Sequence, residues 1–404
     1  MATIAINGSC IAVTCETRVL AVYMKEPKLH VLELPSSPQS ETKNGQKESG
    51  TIESKPLNAY MMGLDVSRCN RWLAVSSSDK QLCLWDTINW TFVSSRSLVR
   101  AADKIKFSPS SDNVTVADKS GDVYLFSVME PNKEGVLLLG HLSMLLDVLM
   151  SDDERYIITC DRDEKIRVSH FPNAYNIQSY CLGHTEFVSC LSFLPHNKAV
   201  LVSGSGDGSV KFWNYESGIL IGDLVCPLQN AKESESSENT KAAFISDNKI
   251  EEDNLSITGE MTSAVMHISC CKYNTSSLVG VSLVHFKGCL LYKVIGDLSN
   301  FSYSMMQQVV FQTEPWDINL SAEGILWYLS CNEKNPLNFV YFDTSGKMSD
   351  SEQSGKVSDT VSLVNSYNEC FTQTAISERV CVLYKRKFDN VQEYLERKKL
   401  RLSS

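Results

Sequence analysis

The chain has 404 residues, is 43% hydrophobic and carries a formal charge of −10 at neutral pH, which excludes a disordered or fibrous class and leaves room for one large domain or several small ones. The acidic balance argues against coating nucleic acid by bulk electrostatics, a mode that needs many Lys and Arg to displace counterions. No run approaches about 18 apolar residues, and the opening MATIAINGSCIAV has neither a basic region nor a long uncharged core, so a soluble intracellular protein is expected.

In chain order, His30-Val31-Leu32 gives the first weak strand signal, followed by a polar tract from Pro35 to Pro56. Four stronger units come next: SDKQLCLWD around Trp85, KSGDVYLFS around Phe126, DRDEKIRVS around Ser169 and SGDGSVKFWN around Trp213. Their aligned positions are 41, 43 and 44 residues apart, the length of a four-stranded propeller blade. Each has a turn with Asp or Ser (Asp79, Ser120, Asp163, Asp207) and then apolar residues two apart, such as Val210 and Phe212, the period of a strand with one buried face. A second polar tract, Gln229 to Asn254, precedes weaker signals at Leu290-Leu291-Tyr292 and at Phe339 to Phe342. A third, Gly346 to Asp359, precedes Cys381-Val382-Leu383-Tyr384. The tracts 35–56, 229–254 and 346–359 hold too few large apolar groups to offset the entropy of ordering and read as disordered inserts. Beyond residue 385, Asp389 with Gln392 fits a capping box, and Val391, Tyr394 and Leu395 form a short apolar face. This predicts an all-β domain over 1–385 and a helical tail over 386–404 with the basic end Arg397, Lys398, Lys399 and Arg401.

Two units begin with Gly-His, at Gly140-His141 and Gly183-His184, and this grammar resembles the WD-repeat family. The resemblance implies a buried hydrogen-bonded tetrad of His184, Ser203, Asp207 and Trp213. The preceding unit supplies His141, Thr159 and Asp163 but has Ser169 in place of Trp. Eight inner-strand signals can be counted, whereas the resemblance implies a seven-bladed β-propeller whose last blade is closed by the N-terminal strand, so an end segment is incomplete.

Catalytic signals are weak. The fourteen cysteines form no C-x-x-C pair; Cys270-Cys271 is adjacent within an apolar run, and Cys160, Cys181, Cys190 and Cys226 sit in apolar stretches as small buried hydrophobes do. The seven histidines lack ligand spacing, so no metal is expected. SGSGDG at 203–208 is followed by VKFW, a strand instead of the helix a dinucleotide loop requires. Asp152-Asp153 and Glu251-Glu252 lie in polar tracts, and no G-x-S-x-G occurs.

VADKSGDVYLFSV, LGHLSMLLDV, DRDEKIRVSH and CLGHTEFVS, in that order, with FDNVQEYL near the C-terminus, resemble the non-catalytic WD-repeat subunit of the tRNA (guanine-N7) methyltransferase complex. The resemblance implies a scaffold, not an enzyme. A separate catalytic subunit would hold S-adenosylmethionine and methylate a guanine in the tRNA variable loop, while this chain binds and stabilises it as a heterodimer, in the nucleus and also the cytoplasm. The partner contacts it implies are Arg162, Asp163, Glu164, Lys165 and Arg167, with Lys119 on the neighbouring blade. Arg167 leads because a guanidinium pairs well with carboxylates and because Ser169 leaves room beside it. The competing readings are a structural bond from Asp163 to His141 and, for the other residues, a solvated charged turn. The basic tail is read as a tRNA contact, with an import signal or a solvated helix end as alternatives. A general scaffold, such as a ubiquitin-ligase substrate receptor, is the alternative function. Its usual box places Arg two residues after the WD pair, and here Trp85-Asp86 is followed by Thr87-Ile88. An enzyme with radial carboxylates in the channel has no supporting pattern.

Overall fold

A computed structural model describes residues 2–8, 10–34, 59–226, 263–332, 334–342, 355–371 and 380–385. They form seven antiparallel sheets, each built from consecutive strands. Blade one comprises Ile4–Asn7, Cys10–Cys15, Arg18–Tyr23 and Leu29–Glu33 (β1–β4), and blade two Met61–Val66, Trp72–Ser77, Gln81–Asp86 and Thr91–Ser97 (β5–β8). Blade three is Lys104–Phe107, Asn113–Ala117, Asp122–Ser127 and Val136–Gly140 (β9–β12). Blade four is Leu145–Met150, Tyr156–Asp161, Ile166–His170 and Ile177–Cys181 (β13–β16). Blade five is Val188–Leu194, Asn197–Ser205, Ser209–Asn214 and Ile219–Val225 (β17–β20). Blade six is Val265–Tyr273, Ser276–Leu283, Gly288–Gly296 and Phe301–Val310 (β21–β24), and blade seven has Pro315–Leu320, Ile325–Ser330 and Leu337–Tyr341 (β25–β27). The first strand of every blade touches the first strands of both neighbours, which closes a seven-bladed β-propeller.

Strand patterning follows from this stacking. Second strands are covered on both faces by adjacent blades, so CIAVTC of β2 and YIITCD of β14 are buried throughout. The fourth strands form the rim and alternate with exposed residues, as in β12 and β16. Trp85, Phe126, Ser169 and Trp213 lie on third strands, one in from the rim, and not on the inner strands as the sequence reading had them. Beside three of them the ladder to the fourth strand slips, between Leu84 and Trp85, Val168 and Ser169, and Phe212 and Trp213, which gives room for a bulky ring at the rim.

The inner strands are tied across blades by carboxylates. Asp65 accepts the Phe107 N–H at 2.7 Å, Asp147 that of Leu191 at 2.9 Å, and Asp317 that of Ile4 at 3.0 Å. The last bond marks the seam, where the expected closure is overturned. β1 pairs with β2 of its own blade and does not complete blade seven. The seam is instead bridged by a helix over Gly355–Asn365 (α1), with Val357, Thr360 and Val364 buried. Asn365 holds both backbone groups of Leu337, each at 2.9 Å, and Lys356 donates to the Lys25 carbonyl at 2.8 Å. Residues 355–359, read as part of a disordered insert, are therefore the first turn and a half of a packed helix. Cys381 to Tyr384 is not an eighth strand signal: residues 380–381 are helical and 382–384 turn. The inserts 35–56 and 229–254 and the tail 386–404 lie outside the described residues.

Candidate partner-binding face

The tight turn between second and third strands is set by its polar residues. In blade five, Trp213 Nε1 donates to Ser203 Oγ at 2.8 Å, Ser203 lies 2.8 Å from His184 Nε2, and His184 Nδ1 is 2.9 Å from Asp207 Oδ2. With Trp N–H to Ser, Ser O–H to His and His Nδ1–H to Asp, each buried donor has an acceptor. Burial pushes the Asp207 carboxyl up, but the bonds from His184, Ser209 and the Thr185 N–H outweigh it and hold the group well below the usual carboxylate range.

Blade four repeats this chain with a shift. His141 Nε2 lies 2.8 Å from Thr159 Oγ1, but Nδ1 reaches Asp161 Oδ2 at 3.0 Å, not Asp163. The other Asp161 oxygen accepts the N–H groups of Asp163 at 2.9 Å and Lys165 at 3.0 Å, closing a turn in which Glu164 has φ +70°. Burial and the His141 bond act on Asp161 with opposite signs, and the hydrogen bonds prevail to lower its carboxyl. The structural Asp has moved two residues upstream, which frees Asp163 to face outward.

Arg167 points off the face that Ile166 and Val168 bury, as expected. The space left by Ser169 is not vacant, however. The guanidinium folds over it, donating to Ser169 Oγ at 2.9 Å, Gly140 O at 3.1 Å and Ala174 O at 2.9 Å. Arg167 thus fills the Trp site with its own side chain, and burial lowers its pKa. Arg162 is also engaged within the chain, donating to Leu383 O at 2.8 Å and Tyr384 O at 3.1 Å. Lys385 lies 2.7 Å from Glu164 and 3.5 Å from Asp163. Lys119 pairs with Asp103 at 3.0 Å on the surface. Lys165 is exposed and reaches the Asp163 carbonyl at 3.3 Å.

These residues share one face. The His141 N–H donates to Gly121 O, which joins the Lys119 turn to the connection between blades three and four, and the Arg162 N–H donates to Met144 O, which joins that connection to the blade-four turn. Ile166 pairs with Cys181, so Leu182 flanks the turn on its other side. Sequence reasoning missed the apolar members of this surface: Leu142 is fully exposed and Leu182 is 62% exposed. Each follows or precedes the Gly-His pair of a repeat, a place where a large aliphatic side chain has no packing duty. All fourteen cysteines are free, and burial pushes the Cys190 and Cys226 thiols up to about 12, so these two behave as core hydrophobes. Among the described residues no cluster could hold a metal ion, and no helix is long and apolar enough to cross a membrane.

The family model described as the tRNA methyltransferase TRM82 WD40 domain matches residues 128–323, and that of the WD domain, G-beta repeat, matches 52–86. The tRNA (guanine-N(7)-)-methyltransferase non-catalytic subunit wdr4 of Danio rerio is 32% identical, covering 100% of this chain and 92% of that protein. The human WDR4 subunit is 33% identical over 88% of this chain and 80% of its own length. The subunit named wuho in Drosophila mojavensis is 31% identical over 90% and 88%. Among solved structures, a chain of a mitotic checkpoint complex superposes with a TM-score of 0.61 at 14% identity, covering 84% of this chain and 86% of that one. U3-55K superposes with 0.58 at 13% identity, covering 81% and 87%. At such identities these two speak to the propeller fold alone.

Proposed function

Because the chain belongs to the family of non-catalytic WD-repeat subunits of tRNA (guanine-N7) methyltransferase, we propose that it binds and stabilises a catalytic subunit that holds S-adenosylmethionine and methylates guanine N7 in the tRNA variable loop. The observation that carries this reading is the match along the full chain to relatives whose names describe a non-catalytic subunit. The contiguous face formed by the Lys119 turn, Leu142, the turn at 162–165 and Leu182 is the docking surface. Its exposed aliphatic groups supply contact area, and its charges set register and association rate.

The test is reconstitution with the catalytic subunit and tRNA. The pair should form a heterodimer and transfer methyl groups to guanine N7, and this chain alone should not. Methyl transfer by this chain alone, or failure of the two to associate, refutes the proposal. The basic end Arg397, Lys398, Lys399 and Arg401 is assigned to tRNA. Replacing all four with Ala should weaken tRNA binding by the complex and flatten its salt dependence, and an unchanged salt slope removes that assignment. The working location is the nucleus with a cytoplasmic share, which imaging of a tagged chain decides.

A further inference from the structure

Three of the residues that sequence assigned to a partner are spent on the chain's own end. Arg162 donates to two successive main-chain carbonyls, Leu383 and Tyr384, while Lys385 closes on Glu164 and Asp163. On the other side, the Tyr384 hydroxyl donates to Gly206 O at 2.9 Å, and its ring stands edge-on to Phe187, centroids 5.1 Å apart. Val380 is buried. Val380, Leu383 and Tyr384 join an apolar cluster with Ile4, Leu146, Phe187, Ala264 and Trp316. These last five lie at or just before the beginnings of the inner strands of five blades, so the segment lies on the face of the ring where the inner strands begin, clasped directly to the turns of blades four and five.

We propose that residues 380–385 are an intrachain plug, that Arg162 is the positioning residue that seats it, and that its seating is required for docking the catalytic subunit. The docking surface is then composite, made of the blade-four turn and the clasped segment lying on it. This rests on the function proposed above. Two carbonyl bonds from a single guanidinium fix the main chain of the segment rather than one of its side chains. Val382, 68% exposed, is thereby held beside the turn as a third outward aliphatic group after Leu142 and Leu182. With the clasp open, Tyr384, Phe187 and Val380 would lose their cover, and Arg162 and Glu164 would present different charges to a partner.

The test uses the full chain with Arg162→Ala and, separately, Tyr384→Ala, read by amide hydrogen exchange over 380–385 and by affinity for the catalytic subunit. The Tyr384 hydroxyl and ring are engaged within the chain, with Gly206 and Phe187, so its variant loosens the segment without altering Arg162 or the 162–165 turn. Both variants should raise exchange over 380–385 on the order of tenfold, as expected when a locally ordered unit is released, and both should bind several-fold more weakly. If Tyr384→Ala unfolds the domain, Tyr384→Phe, which removes only the bond to Gly206, takes its place. Exchange over 380–385 that is already unprotected in the unsubstituted chain, or unmoved by either variant, overturns the plug. Faster exchange with undiminished affinity overturns its role in docking. Failure of the unsubstituted chain to bind the catalytic subunit refutes the proposed function instead, while the exchange measurement still decides the plug.

Discussion

Replacing Arg167 separates a structural from an interfacial role for the charged turn. The guanidinium makes three hydrogen bonds, two within its own blade and one to the end of blade three at Gly140, and two of the three go to main-chain carbonyls. A bond from a charged donor contributes about 1.5–3 kcal/mol when buried. The half-buried position lets water recover part of that, so Arg167→Ala should cost about 3 kcal/mol. Arg167→Glu adds a carboxylate facing the Gly140 and Ala174 carbonyls and should cost about 4–5 kcal/mol, against a total stability of about 5–15 kcal/mol. At roughly 1–2 °C per kcal/mol for a domain of this size, the isolated propeller should melt about 4–10 °C lower. The assay is thermal unfolding of the isolated chain beside co-purification with the catalytic subunit. Ser169→Trp introduced together with Arg167→Lys should recover part of the loss, since Thr159 stands where Ser203 receives the Trp213 donor in blade five. A variant Arg167→Glu that melts unchanged but fails to bind would refute this reasoning and make Arg167 a direct partner contact.

Leu142→Asp removes a fully exposed aliphatic side chain; melting should stay within about 1 °C, as for surface changes in general, while co-purification with the catalytic subunit drops. Asp161 and Asp207 are held below their ordinary carboxyl range, so the stability they contribute is fully present above about pH 4 and is lost as pH falls through their folded values. The urea midpoint should therefore fall below pH 4, and His184→Ala, which removes the bond that lowers Asp207, should flatten that acid limb. Asn365→Ala strips both backbone groups of Leu337 of their partner and should cost about 2 kcal/mol, read as a lower denaturation midpoint; no change would mean that α1 does not secure the seam.

The repeat was legible because a blade is a local object. Its turn residues, its two-residue alternation and its 41 to 44 residue spacing are all written within one stretch of chain, and the resemblance to WD repeats then implied the tetrad His184, Ser203, Asp207 and Trp213. The helical spacing of Val357, Val361 and Val364 stands in the sequence, but α1 went unread because its first five residues fall in the polar tract 346–359 that was read as an insert. Where a charged side chain finds its partner was not legible. Asp163 and Asp161 are equivalent as letters, and only the reach of His141 selects one. Arg162 and Glu164 read as contacts to another protein because their partners within the chain, Leu383, Tyr384 and Lys385, come some 220 positions later. Ring closure was hidden for the same reason: β1 and β25 meet through an Asp317 bond 313 residues long in sequence. Local hydrogen bonding and side-chain period fix the blade, whereas the seam, the plug and the remaining free surface depend on contacts between distant segments that only the closed ring brings within a few ångströms.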